Sequence, residues 1–321
     1  MTAGLVKTIW VSAVSKLKFV LSLITRDNDY QREQAKAAET AALRLNVDLE
    51  ILYADNDSVT QSSQLLDALH RYKSELSGII VEPAGGTEFP QVGRAVVGAS
   101  AAWVVLNRDG GSLAELRKNT SVPVFAVSCD NAEVGRIQAR QLAAILPEGG
   151  TVLLIQGPAS AFVSQQRTQS LQSSKPANIT LKILKSANWT EEGGYHAVIS
   201  WLRLSTSHQQ QIRAVVGQND FIALGARRAF EEITNTAEKM SWVGLPFLGV
   251  DGLPGTGQAW VSGGSLTATV ITPPLAGSAL EKTVDAFSKR IQPPELVLIP
   301  VHSFPAIPSL RPASAAHATG H

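Results

Sequence analysis

Among 321 residues there is one cysteine, Cys129, so the chain can form no internal disulfide and no cysteine-rich metal site. Many exported proteins also lack disulfides, which leaves the redox compartment open. Charge of one sign is missing too, with 28 basic residues against 27 acidic ones. Without a broad field of either sign, no nucleic acid and no anionic membrane is implied as a partner. Long apolar runs are absent. The stretch at residues 8–14, Thr-Ile-Trp-Val-Ser-Ala-Val, is too short to span a bilayer and lacks a small-residue cleavage pattern ahead of Lys16 and Lys18. Residues 1–17 are therefore expected to be a non-core leader. The sequence holds no G-x-S-x-G elbow, no G-x-x-x-x-G-K-[ST] phosphate loop and no H-E-x-x-H zinc pair. Gly252, Gly255 and Gly257 do not match dinucleotide spacing and, with Pro254, predict a strand-to-helix turn. The six histidines have no partners spaced for a metal. No catalytic residue, metal or cofactor is expected.

What is there is a mix of 44% hydrophobic and 17% charged residues over a length that exceeds one ordinary core. Short β-branched runs at residues 19–24, 48–53, 78–81, 103–106 and 122–127 alternate with amphipathic helical patterns at 31–45, 61–72, 89–99 and 113–118. The alternation then restarts. Strands are predicted at 151–155, 181–184, 214–216, 247–250 and 266–271, and helices at 134–144, 165–171, 191–202 and 221–233. A last helix at 276–290 precedes a strand at 296–301. Parallel neighbours need a crossover, usually a helix, so the expected fold is α/β with two doubly wound, mostly parallel sheets. The small, polar end of the chain from residue 309 to 321 is expected to be a flexible tail.

In open α/β sheets ligands bind outside the carboxyl ends of the strands. Here those ends read Asn28 to Tyr30, Glu82, Asn107-Arg108 and Asp130-Asn131 in the first unit. In the second they read Gln156, Trp189, Gln218 to Asp220, Asp251 and Thr272. Carboxylates, amides and guanidinium groups pair with hydroxyls that both donate and accept, and an aromatic face covers an apolar sugar face. Helix capping is the competing explanation for any one Asn or Asp, but capping does not call for Arg108 or Trp189.

Several motifs carry a resemblance in order and spacing: Val215-Val-Gly-Gln-Asn-Asp-Phe-Ile-Ala-Leu-Gly-Ala226, Phe247-Leu-Gly-Val-Asp-Gly252, Gly78-Ile-Ile-Val-Glu-Pro83, Val105-Leu-Asn-Arg108 and Cys129-Asp-Asn131. From about Lys18 to Pro308 the chain resembles the ribose- and galactose-type periplasmic sugar-binding proteins, whose core is shared with the ligand domains of lactose-repressor-type regulators. The resemblance implies two lobes joined by a three-crossover hinge, residues 18–127 plus 273–297 forming the first lobe and 128–272 plus 298–308 the second. It implies ligand contacts from Asn28, Tyr30, Glu82, Asn107 and Arg108 on the first lobe. From the second it implies Gln165 or Arg167, Trp189, Asn219 and Asp251, with Thr272 near the hinge. Asn107 stands where the family usually has Asp, Gln165 where an Arg is common and Thr272 where Gln is frequent, so ribose or galactose specificity is not inherited.

The resemblance further implies a monomer that hands a sugar or polyol to a membrane permease or sensor domain. A regulator without its own DNA-binding domain is the alternative. The resemblance implies the periplasm, although no convincing export signal is visible, and the cytoplasm is the alternative.

Overall fold

The structure is a computed structural model, and it describes residues 16–85, 89–108, 111, 113–118, 120–204 and 211–313. Most of the expected leader, His208, His317 and His321 and the last eight residues of the expected tail lie outside the described residues.

The first series runs β1 (Lys18–Leu23), α1 (Asp29–Leu45), β2 (Asp48–Tyr53), α2 (Ser58–Tyr72), β3 (Leu76–Val81), α3 (Pro90–Gly98), β4 (Ala102–Leu106), α4 (Ala114–Arg117) and β5 (Val124–Cys129). The second runs α5 (Asn131–Ile145), β6 (Gly150–Gln156), α6 (Phe162–Ser174), β7 (Ile179–Lys185), α7 (Glu191–Leu202), β8 (Ile212–Gly217), α8 (Asp220–Glu231), α9 (Thr236–Val243) and β9 (Phe247–Leu248). A short α10 (Ala259–Ser262), β10 (Thr269–Ile271), α11 (Ala276–Lys289), β11 (Leu296–Ile299) and β12 (His302–Phe304) complete it. One parallel sheet has the order β11-β5-β4-β3-β1-β2 and the other β7-β6-β8-β9, while β10 and β12 pair antiparallel. These are the two expected doubly wound lobes. The chain crosses between them after β5, after β10 and after β11, which makes the three-crossover hinge.

Strands such as β4 and β5 are buried along their whole length because each sheet is covered on both faces. Phe19, Leu21, Val104 and Phe125 meet Ala276, Ala279 and Leu280 of α11 on one face of the first sheet, and Trp103, Val105 and Leu65 pack on the other. α5 belongs to both lobes: Val134 and Ile137 join the core of the first, Ala139, Leu142 and Ile145 that of the second.

Several boundaries differ from expectation. β5 starts at Val124, after a proline that has no N–H for the ladder, and continues to Cys129. β11 runs to Ile299, so both strands stay with the first sheet two residues past the expected breaks at 127 and 297. α9 was not predicted: its polar sequence carries one buried side chain, Trp242, which stacks on Phe230 at 4.8 Å and meets Trp201 edge-on. After the Gly252 turn the chain makes a π-helical turn at Pro254–Gln258. The tail is seated as far as Ala313, contrary to expectation: Leu310 is buried in the second core and the Ala313 N–H donates to Ile145 O.

Candidate functional site

At the carboxyl end of β3, Glu82 sits in a cage of amides. Its Oε1 accepts from Asn107 Nδ2 at 2.6 Å, and its Oε2 from Gln31 Nε2 at 3.0 Å and Gln34 Nε2 at 3.4 Å. Both glutamines stand on the buried face of α1, one turn apart. Gln34 Oε1 in turn accepts the N–H groups of Leu275 and Ala276, tying the cage to the start of α11. Burial pushes the Glu82 carboxyl up, against the pull of these donors and of Arg108. Arg108 is buried beside it and donates to the carbonyls of Asn107, Pro83 and Gly85. Asn28 caps α1 by accepting from the Tyr30 and Gln31 N–H groups. The Tyr30 hydroxyl donates to Pro273 O at the second crossover, and desolvation there raises its pKa well above the usual phenol value.

Facing this wall from the second lobe is Arg167. Its Nε donates to Asn131 Oδ1 at 2.9 Å and its Nη1 to Gln218 O at 2.7 Å, so α5, α6 and the end of β8 hold the guanidinium still. Nη2 has no protein acceptor among the described residues and keeps access to solvent. Its guanidinium carbon lies 5.9 Å from the centroid of the Trp189 ring. Trp189 packs on Gly157, where a Cβ would run into its Cη2 and Cζ3 atoms. We therefore expect Gly157→Ala to displace the indole and quench ligand-dependent tryptophan fluorescence changes while leaving the fold intact, as fluorescence titration and circular dichroism would check.

Asp251 completes the floor. Its backbone is left-handed, with φ of 101°, and Thr272 Oγ1 approaches its Oδ1 at 3.4 Å. Oδ2 has no protein donor among the described residues. Burial pushes the Asp251 pKa up to about 7, with Arg167 and Thr272 pulling down and the first-lobe Glu82 pushing up. Tyr30, Cys129, Asp220 and Asp251 all feel the charge of Arg167, so both lobes converge on it.

The structure thus brings together Tyr30, Glu82, Asn107, Arg108, Arg167, Trp189, Asp251 and Thr272. Asn28 reaches this group through the N–H groups of Tyr30 and Gln31 that it caps. Asn219 is buried: Oδ1 caps α8 at the Ile222 N–H, and Nδ2 donates to Trp189 O at 2.9 Å. It holds the tryptophan loop with one Nδ2 hydrogen, and the second has no acceptor among the described residues. Gln165 stands apart, exposed and donating to Ala159 O, so of the two α6 candidates Arg167 occupies the site. Gln31, Gln34 and Asn131 were not among the expected site residues. Their signal is a glutamine or asparagine on the otherwise apolar stripe of a helix.

A match to the periplasmic binding protein domain covers residues 19–288. The chain belongs to that family. It is 27% identical over 267 residues to the ribose import binding protein of Salmonella typhimurium, covering 82% of this chain and 81% of that one. With the xylitol-binding protein of Mycolicibacterium smegmatis it shares 25% identity over 279 residues, 86% of this chain and 72% of the relative. A periplasmic solute-binding protein of Actinobacillus succinogenes, solved with bound D-allose, superposes with a TM-score of 0.76 at 20% identity, over 90% of this chain and 97% of that one. At that identity the superposition establishes the fold of this periplasmic binding protein.

The raised carboxyls set the sign of a pH effect. Glu82, Asp220 and Asp251 bind their protons more tightly folded than unfolded, so the stability they contribute is complete in acid and is lost as pH rises through the folded pKa. Asp251 places its part of that loss between the ordinary carboxyl value and about 7. Scanning calorimetry of the ligand-free chain should show a melting temperature that falls across this window, with a shallower fall in Asp251→Asn.

Proposed function

We propose that this chain binds one monosaccharide or polyol between its lobes, closes around it, and delivers it unchanged to an ABC-type permease or a membrane sensor, acting as a periplasmic monomer. The observation that carries the proposal is the pair Arg167 Nη2 and Asp251 Oδ2, one donor and one acceptor left without protein partners among the described residues, opposite the wall of Tyr30, Glu82 and Arg108. A hydroxyl group serves both at once, donating to the carboxylate and accepting from the guanidinium. Trp189 offers an apolar face beside them. The xylitol- and ribose-binding relatives support the same ligand class.

Closure follows from the division of contacts. Each lobe supplies part of the site, so ligand has higher affinity for the closed form and shifts the population toward it. The boundaries of the moving bodies fall near residues 129, 272 and 299, where the chain passes from one sheet to the other.

The test is a thermal-shift panel of D-ribose, D-allose, xylitol, myo-inositol and glycerol. A binder present at a hundred times its dissociation constant stabilises the fold by about 2.7 kcal/mol. Stabilisation by at least one member, lost in Asp251→Ala, is the expected outcome. No stabilisation by any of them, with amino acids or peptides stabilising instead, would refute the assignment.

A further inference from the structure

At the end of the second sheet farthest from Asp251 there is a cavity of about 410 Å³. It opens beside the first residues of β8, below the turns that lead into β9 and β10, and the last described residues close one side of it. β8 is six residues long, so the cavity lies roughly 20 Å from the sugar site. Its walls carry Arg213, Arg227 and Arg311, the hydroxyls of Ser265 and Thr267 and, among the described residues, no carboxylate.

Several arginines elsewhere meet acids, and Arg108 and Arg167 meet carbonyl or amide oxygens. Arg71 pairs with Glu50, Arg136 and Arg140 with Glu133, and Arg228 with Glu191 and Glu192. In the cavity, Arg227 alone has an acid, Glu231 at its Nε, and its Nη1 donates to Val243 O. Arg213 and Arg311 make no ion pair or side-chain hydrogen bond among the described residues. Glycine makes room for the first of them: a Cβ on Gly150 would lie 2.6 Å from Arg213 Cγ. Thr267 Oγ1 accepts from the Phe247 N–H, which leaves its proton to donate inward.

We propose that this cavity is a second binding site, for a phosphate group. The guanidinium groups of Arg213 and Arg311 match the tetrahedral oxygens of phosphate as forked donors, Arg227 adds the Nη2 that Glu231 and Val243 leave to it, and the two hydroxyls complete the set. The volume accommodates a small phosphate ester as well as the free ion. Because the site lies at the opposite end of the strands, it is separate from the sugar cleft and independent of the function proposed for it.

The experiment titrates the full chain calorimetrically with inorganic phosphate and with glycerol 3-phosphate at constant ionic strength, chloride serving as the blank. Sedimentation with phosphatidylglycerol vesicles, against phosphatidylcholine vesicles, covers a lipid headgroup as the source. Saturable phosphate binding, weakened about tenfold or more by Arg213→Gln and by Arg311→Gln, supports a free solute. Arginine-dependent binding to phosphatidylglycerol vesicles alone supports a headgroup. Binding of neither, or binding that both variants retain at full strength, overturns the proposal. Arg311 is exposed, so Arg311→Gln decides the question even if Arg213→Gln fails to fold.

Discussion

Replacing Arg167 with alanine is expected to weaken sugar binding by about 100-fold, close to 3 kcal/mol, the upper end for a hydrogen bond to a charged group. The guanidinium is held by Asn131 and Gln218, lies over Trp189 and is the shared cation of the acids around it. Its loss removes a donor to the ligand and leaves Asp251 with less to keep it ionised. Arg167→Lys keeps the charge but not the planar fork, and should recover only part of the affinity. Gln165→Ala is the internal control, because that side chain is exposed and serves only Ala159 O. Isothermal titration with the strongest stabiliser of the sugar panel would separate the two residues. Equal losses in Arg167→Ala and Gln165→Ala would dismiss Arg167 as the anchor.

Glu82→Ala should cost the fold about 3 kcal/mol or more in urea unfolding, because a buried group left without its partner loses about 1–3 kcal/mol and three amides share this carboxylate. Gln34 adds to the loss, since it also holds the first turn of α11. Glu82→Gln is a sharper test of the cage. It preserves size and one acceptor, yet turns an NH₂ group toward donors. A Glu82→Gln protein as stable as the parent would mean that water, and not the carboxylate, satisfies the amides.

The alternation of apolar runs was enough to read both sheets, because a parallel strand buried on two faces and an amphipathic crossover helix leave different periods in the chain. α9 escaped because a single buried tryptophan makes no period. Arg108 and Asp251 could be read from strand ends. The amide cage leaves a fainter mark, two glutamines on the stripe that α1 otherwise fills with alanine, and its meaning appears only when β3 delivers Glu82 to them. Asn219 combines both explanations: its Oδ1 caps α8 and one Nδ2 hydrogen holds the Trp189 loop, while the second stays at the strand end where a ligand contact is expected. Sequence marks where polar groups gather, and only packing decides which of them retain an unused atom.

The topology also has a consequence for biogenesis. The first sheet is not finished by the first half of the chain: its edge strand β11 and the helix α11 that covers one face come from near the end. The four strands of the second sheet are all in hand by Leu248. As the polypeptide emerges from the ribosome, the half that begins first is therefore the half that must wait, with Phe19, Leu21 and Val104 covered by α1 and α5 but not by α11 until the end of the chain arrives. A chaperone or an export pathway that keeps the nascent chain open would act on this early, unfinished surface, and a truncation anywhere before Ile299 would spoil the end of the protein that was made first.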